Sequence, residues 1–135
     1  MNKKILLVED NPDYALALEI RLKSLGYALI CADSMSAALS KIVSCKPDVS
    51  VIDINLPDGD GFNLAGQIKS NPNAPEIPVI FITANHDASY REKARFYSPI
   101  AFLEKPFNPR KLIDAIEQSQ YSTTAFRAHY MARRA

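Results

Sequence analysis

The sequence predicts an α/β fold, a five-stranded parallel doubly wound sheet with helices on both faces. Two observations and one rule of chain topology lead to this prediction. Short apolar runs alternate with longer amphipathic runs five times along the 135 residues. The apolar runs are continuous, which is typical of strands buried on both faces. Strands that alternate with helices form parallel sheets, because each helix returns the chain to the same edge.

The first two strands and the helix between them are predicted from an apolar run and its flanking residues. Residues 4–8 read Lys-Ile-Leu-Leu-Val, a short buried strand. Asn11 suits a helix N-cap, and Pro12 suits the first helical position. Apolar residues then recur at helical spacing until Gly26 ends the helix. Residues 27–31 form the second predicted strand.

The remaining elements follow from the same signals, which are capping residues, prolines and glycines at helix ends, and β-branched apolar runs. They are predicted as a second helix from Asp33 or Ser34 to about Cys45, a third strand over 49–53, a loop over 56–61, a third helix over 62–70, a fourth strand over 78–83, a fourth helix over about 87–97, a fifth strand over 100–103 and a fifth helix from Pro109 to about Gln120.

The length predicts one domain over 1–120, followed by a basic tail over 121–135. Lys and Arg number 16 against 15 Asp and Glu, and three of the arginines lie in the tail, so the domain itself is slightly acidic. This balance gives no general attraction to nucleic acid or anionic membranes. The tail is interpreted as a frayed end or linker, or as a short helix that carries Phe126 and Tyr130. A homodimer through these two aromatic residues is kept as an alternative.

The sequence lacks the signals of export and of membrane insertion. Two cysteines, Cys31 and Cys45, are too few for a disulfide framework and are interpreted as small buried apolar residues. The apolar run near the start is short and ends at an acidic pair, unlike a signal peptide. The longest apolar runs fall well below the roughly 18 residues of a membrane span. A cytoplasmic protein is expected.

Polar side chains gather where the predicted strands end. Five such residues end or follow four different strands: Glu9, Asp10, Asp53, Thr83 and Lys105. The carboxyl ends of parallel strands meet at one edge of a sheet, which is where open α/β sheets bind ligands. Each residue alone has an ordinary explanation as a helix cap, a strand former or a solvated side chain. Together at one edge they indicate a common site.

This combination indicates a site for Mg²⁺ and a phosphoryl group. Clustered carboxylates raise one another's pKa unless a cation neutralises them, and oxygen ligands of this kind suit Mg²⁺. Lys105 supplies a charge, and Thr83 a donor, for phosphoryl oxygens. Asp53 is the natural phosphoryl acceptor, because it is the single carboxylate on the central strand and a carboxylate can act as nucleophile. His86 is near the edge without triad partners and is interpreted as a loop residue.

Four motifs carry a family resemblance. Leu-Leu-Val-Glu9-Asp10-Asn contains an acidic pair after the first strand, and the loop from Asp53 has a proline four and a glycine eight residues further on. Ile-Phe-Ile-Thr83-Ala ends the fourth strand, and Phe-Leu-Glu-Lys105-Pro-Phe surrounds the end of the fifth. Together they resemble the receiver domain of two-component response regulators, including the single-domain chemotaxis type. The resemblance implies a flavodoxin-like sheet of order 2-1-3-4-5, and a cis bond before the proline that follows the lysine.

The resemblance also implies how the metal and the phosphoryl group are held. Asp53 accepts the phosphoryl group from a histidine kinase or a histidine phosphotransfer protein. Asp10, Asp53 and the backbone carbonyl of Asn55 bind Mg²⁺, and Glu9 acts mainly through a bound water. The domain catalyses only its own phosphorylation and dephosphorylation.

A switch and an output surface are further implications of the resemblance. Thr83 and Lys105 bind the phosphoryl oxygens, and Phe102 turns inward as Thr83 moves. Asn55 and Asn85 occupy positions that tune the dephosphorylation rate. Phosphorylation then changes the affinity for a downstream protein partner or effector domain. The charge balance, and not the resemblance, predicts that this chain itself binds neither nucleic acid nor membrane.

Two features depart from the pattern of the family. Ser98-Pro99 stands where Gly-Ala is common, so the loop before the fifth strand must find another conformation, and proline removes a donor there. This affects the surface of the fourth helix and the fifth strand, which the resemblance implies is the signalling face. Phe102 has no hydroxyl group, unlike a tyrosine at that position.

Three other functions remain as alternatives. A metal-dependent aspartyl phosphatase would usually carry a second aspartate two residues after the nucleophile, where this chain has Asn55. A flavin or nucleotide module would need a phosphate-binding loop after the first strand, where this chain has an acidic pair. A degenerate receiver would bind its partner without phosphorylation.

Overall fold

Five parallel strands form the central sheet of the computed structural model, which describes residues 3–74 and 76–119. The strands are β1 (Lys4–Val8), β2 (Ala28–Ala32), β3 (Val49–Asp53), β4 (Val79–Thr83) and β5 (Ala101–Glu104). They pair in the order β2-β1-β3-β4-β5, and every pairing is parallel. The predicted sheet and its strand order are therefore confirmed.

Five α-helices flank the sheet within the described residues, and each begins at a polar capping residue. They are α1 (Pro12–Ser24), α2 (Met35–Cys45), α3 (Gly61–Ser70), α4 (Ala88–Ala94) and α5 (Pro109–Gln118). The side chains that accept backbone N–H groups at their starts belong to Asn11, Ser34, Asp60, Asp87 and Asn108. These caps satisfy donors that have no partner inside a helix, which explains where the helices begin.

Some predicted boundaries are wrong by a few residues. Both β2 and β5 lie one residue later than predicted. The predicted fourth helix is divided, because α4 ends at Ala94 and a 3₁₀ turn covers Arg95–Tyr97. The predicted loop over 56–61 contains a short antiparallel pairing of Asn55–Leu56 with Gly59–Asp60. The expectations for the tail over 121–135, and for a fifth helix that reaches Gln120, lie outside the described residues.

An apolar core lies on each face of the sheet, because successive strand residues point to opposite faces. On one face, strand residues that include Leu6, Ile52 and Phe81 pack with residues of α2, α3 and α4. On the other face, Leu7, Val51 and Ile80 pack with residues of α1 and α5. Helices on both faces make the sheet doubly wound and leave its carboxyl edge open for a site.

The cysteines are less buried than predicted. Cys31 and Cys45 are free thiols, and both are only half-buried. Cys31 contacts Glu19, with 3.7 Å between Sγ and Oε2. Among the described residues, none of the helices has the length and apolar character to cross a membrane.

The loop before β5 uses a left-handed residue where the chain has serine in place of glycine. Ser98 has φ 47° and ψ 54°. Its backbone N–H donates to the Arg95 carbonyl at 3.2 Å, which closes the 3₁₀ turn. A side chain in this conformation costs about 1–2 kcal/mol. The loop thus takes the left-handed turn that glycine favours, and the expectation that Ser98 forces another conformation is wrong.

Ser98→Gly is expected to raise the free energy of unfolding by about 0.5–1 kcal/mol. Relief of the left-handed strain outweighs the extra freedom of glycine in the unfolded chain. Ser40→Gly, at an exposed position inside α2, is the matched control and is expected to lower the same quantity by roughly 0.5 kcal/mol. Urea unfolding measures the free energy of unfolding of both variants. A lower value for Ser98→Gly than for wild type would show that Ser98 is not strained.

Candidate functional site

Two carboxylates converge on one ammonium at the carboxyl edge of the sheet. Lys105 Nζ donates to Asp53 Oδ2 at 2.8 Å and also to Glu9 Oε1. The side chains are little exposed, with 14% for Lys105, 6% for Asp53 and 1% for Glu9. Burial alone would lower the pKa of Lys105, but its hydrogen bonds to Asp53 and Glu9 outweigh burial and raise it. Lys105 is therefore a fixed positive charge in the site.

The pKa of the Glu9 carboxyl is raised in the folded protein. Burial raises the pKa of this carboxyl from 4.5 to about 7, although the hydrogen bond from Lys105 acts in the opposite direction. The neighbouring Asp53 adds to the rise. Glu9 Oε2 also accepts the Asn11 N–H at 3.1 Å, so the backbone of the next loop fixes the carboxyl group.

Without a metal, the stability of the protein is expected to fall as the pH rises from about 4.5 to 7. The folded state holds the Glu9 proton in this range and the unfolded state does not, so unfolding is favoured as the pH increases through the folded pKa. Urea unfolding in EDTA at several pH values measures the effect. Glu9→Gln removes the titrating group and should remove this fall. Equal pH profiles for the two proteins would contradict the raised pKa.

A third carboxylate completes a group that can hold a metal ion. Asp10 is exposed beside the buried pair, and one oxygen from each of Glu9, Asp10 and Asp53 lies within 4.8 Å of the other two. Hard oxygen donors at this separation suit Mg²⁺, which also keeps several waters. The exposure of Asp10 leaves one side open for those waters, so the donor set fits Mg²⁺.

Asn55 links the central aspartate to the threonine of the next strand. The Asn55 N–H donates to Asp53 Oδ1 at 2.9 Å. The Thr83 hydroxyl donates to Asn55 Oδ1 at 3.3 Å, and Thr83 Oγ1 accepts the Asn85 N–H at 3.0 Å. The structure therefore connects Thr83 to Asp53 through Asn55 rather than directly. The side chain of Asn85 instead accepts the backbone N–H of Asp87.

Gly61 allows α3 to start directly behind Asp53. A Cβ atom at Gly61 would lie 2.7 Å from the Asp53 carbonyl oxygen and 2.8 Å from Ile52 Cγ2. The Gly61 N–H donates to the Ile54 carbonyl at 2.7 Å. Any side chain would push this turn away, which gives a physical reason for the glycine eight residues after the aspartate.

Phe102 lies outside the carboxylate cluster. It is partly buried on β5, and the Arg91 guanidinium carbon lies 4.8 Å from the centre of its ring. Arg91 also pairs with Glu104 at 2.8 Å, so this arginine ties α4 to β5. A hydrogen bond of Arg91 lowers the pKa of Glu104.

Sequence reasoning missed two contacts to Lys105. His86, interpreted as a loop residue, places Nε2 2.7 Å from the Lys105 carbonyl oxygen. The ring of Tyr14 packs against the Lys105 ammonium. A signal for Tyr14 was available, because it follows the predicted N-cap Asn11 by three residues and so lies in the first turn of α1, next to the carboxyl edge of the sheet. His86 had no such signal. The Lys105–Pro106 bond is cis, as the resemblance implies.

The fold and its edge residues define a class of protein: doubly wound α/β domains that carry an acidic cluster, a lysine and a threonine at the strand ends. Residues 5–117 match the family model described as the response regulator receiver domain. The chain belongs to this family, whose members act in two-component signalling and are not a classical enzyme family.

Curated relatives include proteins of similar and of greater length. Protein PilG of Pseudomonas aeruginosa is 29% identical over 114 residues, which cover 84% of each chain. The phosphate regulon transcriptional regulatory protein PhoB of the same organism is 29% identical over 113 residues, which cover 84% of this chain and 49% of PhoB. The chain thus spans about half the length of PhoB and of similar transcriptional regulators.

Solved structures show the same fold. A putative response regulator from Chloroflexus aurantiacus superposes with a TM-score of 0.82 at 28% identity, over 88% of this chain and 98% of that one. The receiver domain of the sensor histidine kinase PA1611 from P. aeruginosa superposes with a TM-score of 0.78 at 30% identity, over 87% and 97% of the two chains. That structure holds a magnesium ion in its active site cleft.

Proposed function

We propose that this chain is a phosphorylatable receiver module. Asp53 accepts a phosphoryl group from a histidine kinase or a histidine phosphotransfer protein in a Mg²⁺-dependent reaction. The observation that carries the proposal is the buried Asp53 carboxylate, which is paired with Lys105 and adjoins two further acids. Such a set combines a nucleophile with positive charge for a phosphoryl group and oxygen ligands for a metal.

The transfer step is a displacement at phosphorus. A carboxylate oxygen of Asp53 forms a bond to the phosphorus atom, and the bond from phosphorus to the donor's imidazole nitrogen breaks. The imidazole leaves with the electron pair of that bond. Lys105 and Thr83 would then bind oxygens of the transferred group, which carries more negative charge than the original carboxylate.

The acidic cluster would hold Mg²⁺ in this reaction. Asp10 and Asp53, with the backbone carbonyl of Asn55, are the proposed ligands, and Glu9 acts mainly through a bound water. Bound there, Mg²⁺ neutralises charge on the phosphoryl oxygens. The magnesium in the cleft of the PA1611 receiver domain supports this assignment.

The proposed switch links Thr83 to the surface of β5. The Thr83 hydroxyl now bonds to the amide of Asn55, and it would turn to a phosphoryl oxygen after transfer. Phe102 would then turn inward, and the surface of α4, β5 and α5 would change its affinity for a protein partner or an effector domain. The backbone N–H of Asn55 donates to the acceptor, and the backbone N–H of Asn85 donates to Thr83. Both residues would tune dephosphorylation, the other reaction that the domain would catalyse.

Intact mass measurement tests the proposal directly. The protein is incubated with a small acyl phosphate, with and without Mg²⁺. One phosphoryl adduct that requires Mg²⁺ is expected. The absence of an adduct, with Mg²⁺ binding shown by calorimetry, would favour a receiver that binds its partner without phosphorylation.

A further inference from the structure

We propose that Tyr14 is a positioning residue for Lys105. The face of its ring would keep the ammonium beside Glu9 and Asp53 while Lys105 exchanges a carboxylate partner for phosphoryl oxygens. The inference rests on the proposed function, because it concerns the rate at which Asp53 is phosphorylated.

The ring completes the surroundings of the ammonium. Lys105 Nζ lies 4.2 Å from the centre of the Tyr14 ring, well inside the roughly 6 Å range of cation–π interactions. An ammonium has three N–H donors, and two of them are used by Glu9 and Asp53. The Lys105 ammonium therefore contacts two acids and one uncharged aromatic ring, that of Tyr14.

Two contacts fix the position of Tyr14. The backbone N–H of Tyr14 donates to Asn11 Oδ1 at 3.1 Å, which fixes the first turn of α1. The ring of Phe107 packs edge-on against it, with 6.3 Å between centres and an angle of 76°. Asn11 also bonds to Glu9, so a single loop fixes both the acid and the aromatic ring beside Lys105. Such a ring can define where the ammonium lies.

The contact matters because the two ion pairs do not survive phosphorylation unchanged. When an Asp53 oxygen becomes bonded to phosphorus, Lys105 must reorient toward the new oxygens. A cation–π contact depends on the electron density of the ring face. It can therefore stay in place while Lys105 exchanges the Asp53 oxygen for phosphoryl oxygens. The ring can therefore keep the ammonium in the site throughout the step, so its loss should slow the reaction.

Ring electron density can be varied without changing shape. Phenylalanine with zero, one, two or three ring fluorines is incorporated at position 14, and phosphorylation by an acyl phosphate with Mg²⁺ is timed by intact mass. Tyr14→Phe should react within about twofold of wild type, and each fluorine should slow the reaction further. Tyr14→Leu should be slower by about three- to thirty-fold. The Mg²⁺ dissociation constant should stay within about twofold throughout.

A matched control separates this effect from packing. Tyr27 is also half-buried and packs against the same apolar cluster, but it lies near Glu117 rather than Lys105. Tyr27→Leu should leave the phosphorylation rate unchanged. Equal rates across the fluorinated series, in a protein whose wild type is phosphorylated, would overturn the inference alone. A wild type that accepts no phosphoryl group would overturn the proposed function as well.

Discussion

Asp53→Asn is expected to abolish phosphorylation by a small acyl phosphate. The amide has the shape of the carboxylate and can still accept the Asn55 N–H, so the fold should be kept. It lacks the negative charge and the nucleophilic oxygen that the displacement requires. Intact mass after incubation with Mg²⁺ should show no adduct, where wild type shows one.

Asp58→Asn is the matched control for this variant. Asp58 lies in the same loop and is exposed, and its two oxygens accept the backbone N–H groups of Met35 and Ser36 at the start of α2. Its variant should keep the single adduct. An adduct on Asp53→Asn would move the acceptor to another side chain, which fragmentation of the peptide would identify.

Local signals account for how well the fold could be predicted. Asn11 and Pro12 mark the start of α1 because capping and a fixed proline φ are properties of adjacent residues. The division of the fourth helix has no such local signal. Its last turn ends against the left-handed Ser98, and serine has no strong preference for that conformation.

The residues of the candidate site that lie at strand ends could be predicted from the sequence. Parallel strands bring Glu9, Asp53 and Lys105 to one edge whatever the details of packing, and the structure does place these three in contact. Contacts from loops could not be predicted in the same way. The bond from His86 to the Lys105 carbonyl depends on the path of the loop between β4 and α4, which sequence periodicity does not describe.

Lys105→Met is expected to lower the free energy of unfolding, because Lys105 lies between two buried acids. Lys105→Met keeps the length of the side chain and removes its charge, so Glu9 and Asp53 remain buried without their cation. Breaking such a pair costs about 3–5 kcal/mol when the remaining charge persists. Because Glu9 can take up a proton, we expect a loss of roughly 2–4 kcal/mol in the free energy of unfolding at pH 8 without Mg²⁺.

The dependence of this loss on pH and Mg²⁺ separates charge from packing. Without the ammonium, the folded-state pKa of the Glu9 carboxyl rises further above its value of about 7, so stability is retained at low pH and lost as the pH increases through that pKa. Mg²⁺ binds only the folded site and should restore most of the loss. Lys111→Met, at an exposed position on α5, should stay within about 0.5 kcal/mol of wild type. A Lys105 variant whose loss is the same at pH 5 and pH 8, and unchanged by Mg²⁺, would show that Lys105 stabilises the site by packing. Only a loss that responds to both pH and Mg²⁺ would support the role of Lys105 as the positive charge that neutralises the buried acids and binds the phosphoryl group.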